Sequence, residues 1–133
     1  MPEERQSAAR FLRTTRRLTH RGGVVIMDNF CVYVIKLKKS VLGSRKFRNK
    51  NGSYLENKPC VYVGSTSTTP EDRLKVHMGG GMFSSSWVRR FGKKLFPWAY
   101  EGLPTFGSED EAKEAESRYA DELRSRGWGV WQA

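Results

Sequence analysis

Residues 60–65 read Cys-Val-Tyr-Val-Gly-Ser, and the first four letters of this stretch also occupy residues 31–34. Alternating β-branched and aromatic residues are typical of strands, so the two copies predict strands over 30–37 and 60–65. Strands that follow each other in sequence pair most simply as an antiparallel hairpin. The repeated tetrapeptide therefore predicts a hairpin that carries one tyrosine on each strand.

The second copy leads into a helix with two functional candidates. Residues 69–72 read Thr-Pro-Glu-Asp, which favours a helix start because threonine caps, proline suits the first turn and acids suit the dipole. Glycines 79–81 predict its end. Arg73 and His77 are four residues apart, so the helix places both side chains on one face. Two strand tyrosines facing this pair would form a site rather than only a core.

A stronger helix is predicted over about 109–126, between the capping box of Ser108 and Glu111 and the stop at Gly127. Its apolar stripe consists of Ala112, Ala115, Tyr119 and Leu123. Glu116 lies on the same stripe, where a carboxylate is costly unless it is paired or bound to a metal. An edge position from which the side chain reaches solvent fits the stripe as well, and the residues leave both interpretations open.

The remaining segments define the expected domain. Residues 1–27 are rich in arginine and weakly patterned, so we expect a basic N-terminal arm outside a core domain of residues 28–133. Residues 38–59 predict a long basic insertion, a loop whose length suggests a function. The last predicted elements are a short basic helix over 84–95, a strand or extended loop over 96–104, and a short final strand over 128–131.

The charge balance indicates a polyanionic partner. The net charge is +10 and the pI is near 10.0, which favours nucleic acid over an anionic membrane surface, since no long basic amphipathic helix stands out. Solvated charge runs are the alternative explanation.

The apolar runs are far too short for a membrane span, and the few cysteines lie in strand patterns, so we expect a soluble cytoplasmic protein. The candidate substrate-binding residues are Lys36, Lys38, Lys39, Arg45, Lys46, Arg48, Arg89 and Arg90, together with Gly64.

If Tyr33, Tyr62, Arg73, His77 and Glu116 converge, they fit metal-assisted attack of water on a phosphodiester. A lone carboxylate suits Mg²⁺ or Mn²⁺, with Mg²⁺ keeping most of its waters, and an arginine would hold the phosphate. A tyrosine or the histidine would deprotonate the water. An unperturbed tyrosine pKa is about 10, so ionisation at neutral pH needs about 4 kcal/mol of favourable interaction. The residues do not decide between the two bases.

At these positions the chain resembles the GIY-YIG nuclease family, which is named for two strand motifs that each carry a tyrosine. Residues 31–33 occupy the first motif and residues 62–64 the second. Arg73 and His77 match the family's helix pair, and the family's Ala-x-x-x-Glu pattern places the metal ligand at Glu116. The resemblance covers about residues 30–131.

The resemblance implies an α/β (α+β) fold, with a small three-stranded antiparallel sheet flanked by helices. It also implies Mg²⁺-dependent cleavage of DNA, with the first tyrosine often assigned as the base. Three positions depart from the family pattern. Cys31 replaces a glycine, the tyrosines are 29 residues apart where the family usually has a shorter hairpin, and Gln132 is the candidate for a late asparagine.

The leading hypothesis is therefore a metal-dependent endonuclease that hydrolyses DNA phosphodiester bonds. One alternative is a catalytically inactive nucleic-acid-binding module of the same fold. A basic structural RNA-binding protein is another, and it predicts no clustering of the five site residues. The sequence leaves open DNA against RNA and the oligomeric state.

Overall fold

The computed structural model describes residues 29–133 and the backbone of two short strands nearer the N-terminus. These strands, β1 (Thr19–Arg21) and β2 (Val24–Ile26), pair antiparallel with each other. Most of the expected arm over residues 1–27 lies outside the described residues, so its position relative to the core stays a prediction.

From residue 29 onward, each strand is separated from the next by one or two helical segments. The strands are β3 (Phe30–Leu37), β4 (Cys60–Thr66), β5 (Gly92–Leu95), β6 (Thr105–Phe106) and β7 (Gly129–Gln132). The helices are α1 (Arg45–Lys50), α2 (Pro70–Gly79), α3 (Ser86–Phe91), α4 (Pro97–Tyr100) and α5 (Glu109–Ser125), and a 3₁₀ helix covers Lys39–Gly43. In this described part of the chain, the helices lack the length and apolar character that a bilayer crossing requires.

The predicted hairpin forms the centre of the sheet. β3 and β4 pair antiparallel, with Tyr33 opposite Gly64 and Ile35 opposite Tyr62. The prediction of three antiparallel strands is wrong, because the sheet has five strands in the order β5-β3-β4-β7 with β6 also on β3, and β7 runs parallel to β4. Parallel neighbours require a crossover connection, and α5 completes it by returning the chain to the start of β7. The α+β class with flanking helices is confirmed.

The insertion over 38–59 is folded rather than an open loop. Ser44 Oγ accepts a hydrogen bond from the Phe47 amide and so caps α1, while the Phe47 side chain is fully buried. The side-chain amide of Asn51 then forms two hydrogen bonds with Val130 of β7. It donates to the Val130 carbonyl at 3.1 Å and accepts from the Val130 backbone amide at 2.8 Å. The insertion is thus built into the core beside the last strand.

Two further predictions required correction. The helix expected over 84–95 spans only Ser86–Phe91, and the chain continues directly into β5. Gly92 permits the chain to pass directly from helix to strand, because any Cβ there would lie only 2.4 Å from the Val88 carbonyl oxygen. The strand or extended loop expected over 96–104 instead contains the short helix α4, which begins with Pro97 at a position that suits proline.

Two apolar clusters cover the two faces of the sheet. Successive strand residues alternate between faces, so Val32 and Val34 pack under α5 while Tyr33 and Ile35 belong to the opposite cluster with α1 and α3. The first cluster also contains Trp128 and the α5 residues Tyr119 and Leu123. Both tyrosines of the predicted site therefore face away from α5, and Glu116 must approach from the other side of the sheet.

Candidate active site

Helix α2 presents Arg73 and His77 as the sequence predicts. Thr69 Oγ1 accepts a hydrogen bond from the Asp72 amide at 3.1 Å, which caps the first turn. Gly80 ends the helix with φ of 74°, a left-handed conformation that glycine adopts without strain. The helix therefore begins and ends at the two signals that its own sequence provides.

His77 is buried against the first tyrosine, with both ring nitrogens hydrogen-bonded. Its Nε2 lies 2.8 Å from the Tyr33 hydroxyl, and its Nδ1 accepts from the Ser85 amide at 2.8 Å. A backbone amide can only donate, so Nδ1 carries no proton and the neutral ring holds its proton on Nε2. His77 therefore donates to the Tyr33 oxygen.

The charge state of His77 agrees with this assignment. Burial, and secondarily the positive charge of Arg73, lower the pKa of His77 to about 4. The imidazole is thus neutral at neutral pH. Since its one proton is committed to Tyr33 and its other nitrogen to Ser85, His77 is not placed to accept a proton from water.

Tyr62 completes a cluster of three rings. The edge of its ring faces His77 with 5.3 Å between centroids, and the Tyr33 ring lies 6.4 Å away. Burial raises the pKa of Tyr62, and a hydrogen bond with Ser85 and the charge of Arg73 oppose that rise. The two phenols and the imidazole are therefore held at fixed distances by packing.

The surroundings of the Tyr33 hydroxyl shift its pKa in opposite directions. Burial is the main cause that raises its pKa, and Tyr62 and Glu116 add to the rise. The Arg73 guanidinium acts in the other direction through a hydrogen bond and its charge. Any further positive charge in this site would favour the phenolate by the same physics.

Gly64 makes room for Tyr33. The two residues are opposite each other on β3 and β4, and a Cβ on Gly64 would lie 2.6 Å from the Tyr33 hydroxyl oxygen. A larger residue would therefore displace the phenol from His77. This packing explains the glycine, while its predicted contact with substrate stays a prediction.

Glu116 is buried, which decides between the two interpretations that the sequence left open. Its side chain is 0% exposed on the inner face of α5. Ser65 donates to Oε2 at 2.8 Å, and Lys113 lies 4.0 Å from the same oxygen. Burial raises the pKa of Glu116, whereas Ser65, Lys113 and Gln132 oppose the rise.

The other carboxylate oxygen, Oε1, is buried and has no hydrogen-bond partner among the described residues. An orphaned carboxylate oxygen is costly in a protein interior and fits a bound cation. The described residues contain no group of three side chains that could enclose a metal. A divalent cation with a single protein carboxylate and several waters is the type that such a site suits.

A cleft of about 660 Å³ opens at this end of the sheet. Its lining includes Ser65, Asp72, Arg73, Phe83, Glu109 and Lys113. Arg73 and the two neighbours of Glu116 thus reach the same space, and the charge of Glu116 acts on both tyrosines. The elements from the two faces of the sheet meet here, so the structure brings together all five residues that the sequence singled out. A structural RNA-binding protein predicts no such clustering.

The basic residues predicted to bind substrate lie elsewhere, since none of them lines the cleft. Several make internal contacts: Lys36 lies over the Phe96 ring, Lys39 donates to Tyr54, and Arg48 donates to the Leu42 carbonyl. The side chains of Lys38, Arg45, Lys46 and Arg90 are exposed, and Arg89 reaches the Gly80 carbonyl at the end of α2. Their role in binding stays a prediction.

Sequence reasoning missed three parts of the site. Ser65 follows the second motif directly, and Lys113 precedes Glu116 by one helical turn, so their spacing could have identified both. Ser85 acts on His77 through its backbone amide, which leaves no side-chain signal. Gln132, the candidate for the late asparagine, lies close enough to lower the pKa of Glu116 and donates to Ser117 at 2.6 Å.

Comparison with family models gives a match to the GIY-YIG catalytic domain over residues 29–129. This range contains both strand motifs, α2 and α5, and therefore all five residues of the site. Neither curated proteins nor solved structures provide a match to the chain.

Proposed function

Because the chain belongs to the GIY-YIG nuclease family, we propose that it is a metal-dependent endonuclease that hydrolyses phosphodiester bonds in DNA. One observation carries the proposal: a buried carboxylate, Glu116, leaves Oε1 without a partner beside a cleft that Arg73 lines. A binding module has no need of such an oxygen, whereas a nuclease that uses a divalent cation does.

Arg73 is the residue that would bind the scissile phosphate. One of its N–H groups donates to the Phe83 carbonyl at 3.1 Å, which fixes the plane of the guanidinium at the wall of the cleft. A planar guanidinium matches phosphate oxygens in a bidentate pair and stabilises charge as it develops. Lys113 of α5 also lines the cleft and adds a second positive charge.

Glu116 would hold Mg²⁺ or Mn²⁺ through its unpartnered oxygen. Bound there, the cation would neutralise phosphate charge and stabilise the leaving oxygen. Ser65 keeps the carboxylate oriented by donating to Oε2, so Oε1 remains the available ligand. Lys113, 4.0 Å from Oε2, balances the carboxylate charge when the cation is not bound.

Tyr33 is the residue we assign as the general base. His77 donates to its oxygen, and this hydrogen bond stabilises the phenolate that accepts a proton from water. Arg73 favours the same ionised form through its charge. Tyr62 would position the water beside it. In this assignment His77 is a positioning residue, because it acts only through Tyr33.

The decisive experiment is a plasmid-nicking assay with Mg²⁺. We expect the wild-type protein to nick DNA and Glu116→Ala to lose at least about 100-fold in rate, a loss typical of a group that stabilises transition-state charge. Glu114→Ala is the matched control, since Glu114 is an exposed carboxylate on the same helix and should be dispensable. Binding of DNA by the wild type without cleavage would instead identify a binding module.

Thermal unfolding gives a second readout that does not depend on activity. Without divalent ions, we expect Glu116→Gln to unfold at a higher temperature than wild type, because it removes a buried charge with an unsatisfied oxygen. Added Mg²⁺ should stabilise the wild type and leave Glu116→Gln unchanged. Equal responses of the two proteins to Mg²⁺ would place the cation elsewhere.

A further inference from the structure

The loop between α2 and α3 exposes two large apolar side chains beside the cleft. Met82 is 90% exposed and Phe83 is 74% exposed. Phe83 also lines the cleft together with Arg73, so the apolar surface continues into the site itself. Large apolar side chains that stand in solvent beside a polar site indicate a binding function.

Two guanidinium groups hold the backbone of this loop, one at each end of the segment 80–83. Arg73 donates to the Phe83 carbonyl at 3.1 Å, and Arg89 donates to the Gly80 carbonyl at 3.5 Å. The same arginine that faces the cleft therefore sets the position of Phe83. The loop that carries the apolar pair is therefore bonded to two positive charges. This combination suits a ligand whose flat apolar part is joined to negative charge.

A nucleotide has this combination of a flat base and a phosphate. Aromatic side chains stack on bases with little regard to sequence, and apolar side chains also enter between base pairs as wedges. In an intact duplex every base is already paired and stacked on its neighbours. Phe83 can therefore stack only on a base that is unpaired or easily unstacked.

We propose that Phe83 and Met82 stack on an unpaired base next to the scissile phosphate, so that the preferred substrate is DNA with an unpaired or loosened base. The inference rests on the proposed function, because Arg73 provides the phosphate end of the contact. A protein partner or a second copy of the chain could cover the apolar pair, but neither explains why two guanidinium groups hold the loop that carries it.

The test is a binding measurement without divalent ions, in which cleavage cannot occur. The probes are a short DNA duplex and the same duplex with one unpaired fluorescent adenine analogue. We expect the wild type to bind the second DNA about tenfold more tightly and to quench the analogue, as base stacking on an aromatic ring does. Phe83→Ala should lose most of the preference and the quenching, and Phe83→Trp should keep both.

Met78→Ala is the matched control, since Met78 is an exposed methionine on α2 that is not among the residues lining the cleft. It should bind both DNAs as the wild type does. Equal affinity of the wild type for the two probes, or an unchanged preference in Phe83→Ala, would overturn the inference. Self-association that Phe83→Ala abolishes, without any preference for the unpaired base, would assign the patch to a second copy.

Failure of the proposed function has a different signature. After addition of Mg²⁺, it would appear as intact DNA in the wild-type reaction with either probe. The preference for the unpaired base would still be measurable in that case, since it does not require cleavage.

Discussion

His77 is the residue whose surroundings separate the two candidate bases. From the sequence, its ordinary pKa makes it the easier base than a tyrosine. The contacts with Tyr33 and the Ser85 amide remove that advantage, because both ring nitrogens are engaged in hydrogen bonds and neither is open to a water molecule. No local pattern could reveal this, since the Ser85 amide reaches the ring through the fold and not through a side chain.

The lowered pKa of His77 predicts a specific loss of stability in acid. The unfolded histidine titrates near 6.5 and the folded one near 4, so between these values the unfolded state binds more protons. The free energy of unfolding should therefore fall as pH is lowered from 7 to 5, by about 2 kcal/mol from this group alone. Urea unfolding at the two pH values measures the fall.

His77→Gln supplies the control for this measurement, because glutamine does not titrate. Its free energy of unfolding should depend less on pH over the same interval, by about the same 2 kcal/mol. Identical pH dependence in the two proteins would mean that His77 is not held neutral in the fold.

At the scale of elements, the insertion over 38–59 shows what local signals leave out. Its lysines and glycine suggest an open basic loop, yet α1 is buried through Phe47 and fixed to β7 through Asn51. Asn51 satisfies both backbone groups of Val130, as a neighbouring strand would. The partners are 79 residues apart in sequence, which is why sequence patterning does not anticipate them.

Asn51→Ala should therefore destabilise the whole protein. It leaves the Val130 amide buried without its partner, and the Val130 carbonyl keeps only its hydrogen bond from Arg124. An unsatisfied buried group costs about 1–3 kcal/mol. Asn49→Ala changes an exposed asparagine within α1, which Asn51 directly follows, and should stay within about 0.5 kcal/mol of wild type. Chemical denaturation measures both, and equal stability of the two variants would show that the insertion folds independently of β7.

Elements with strong local signals agree with prediction, and the others depend on distant contacts. The hairpin, α2 and α5 carry alternation, caps and stop signals in their own residues. β5 and β6 are too short to show alternation, and α4 is held by distant groups, with Phe96 donating to the Val34 carbonyl at 2.8 Å and Tyr119 donating to Ala99. The parallel direction of β7 follows from where α5 returns the chain, so it too depends on the assembled fold.

At the scale of the whole molecule, the charge is divided between the two sides of the sheet. The exposed face of α5 carries acids over residues 109–121, whereas α1 and α3 on the opposite side carry exposed lysines and arginines. The two tyrosines belong to the cluster on the basic side. An approaching polyanion would therefore be attracted to the side of the molecule that holds Tyr33 and repelled from the back of α5.

This division predicts which charges would control the salt dependence of the proposed DNA binding. Each phosphate contact that is lost reduces the slope of log K against log salt by about 0.9. Neutralising Arg45 and Lys46 together, which are exposed on α1, should therefore lower the slope for duplex DNA by about two. Arg118→Gln on α5 is the control and should leave the slope unchanged. A titration of fluorescent duplex against salt compares the three proteins, and an equal effect from Arg118→Gln would mean that DNA does not favour the basic side.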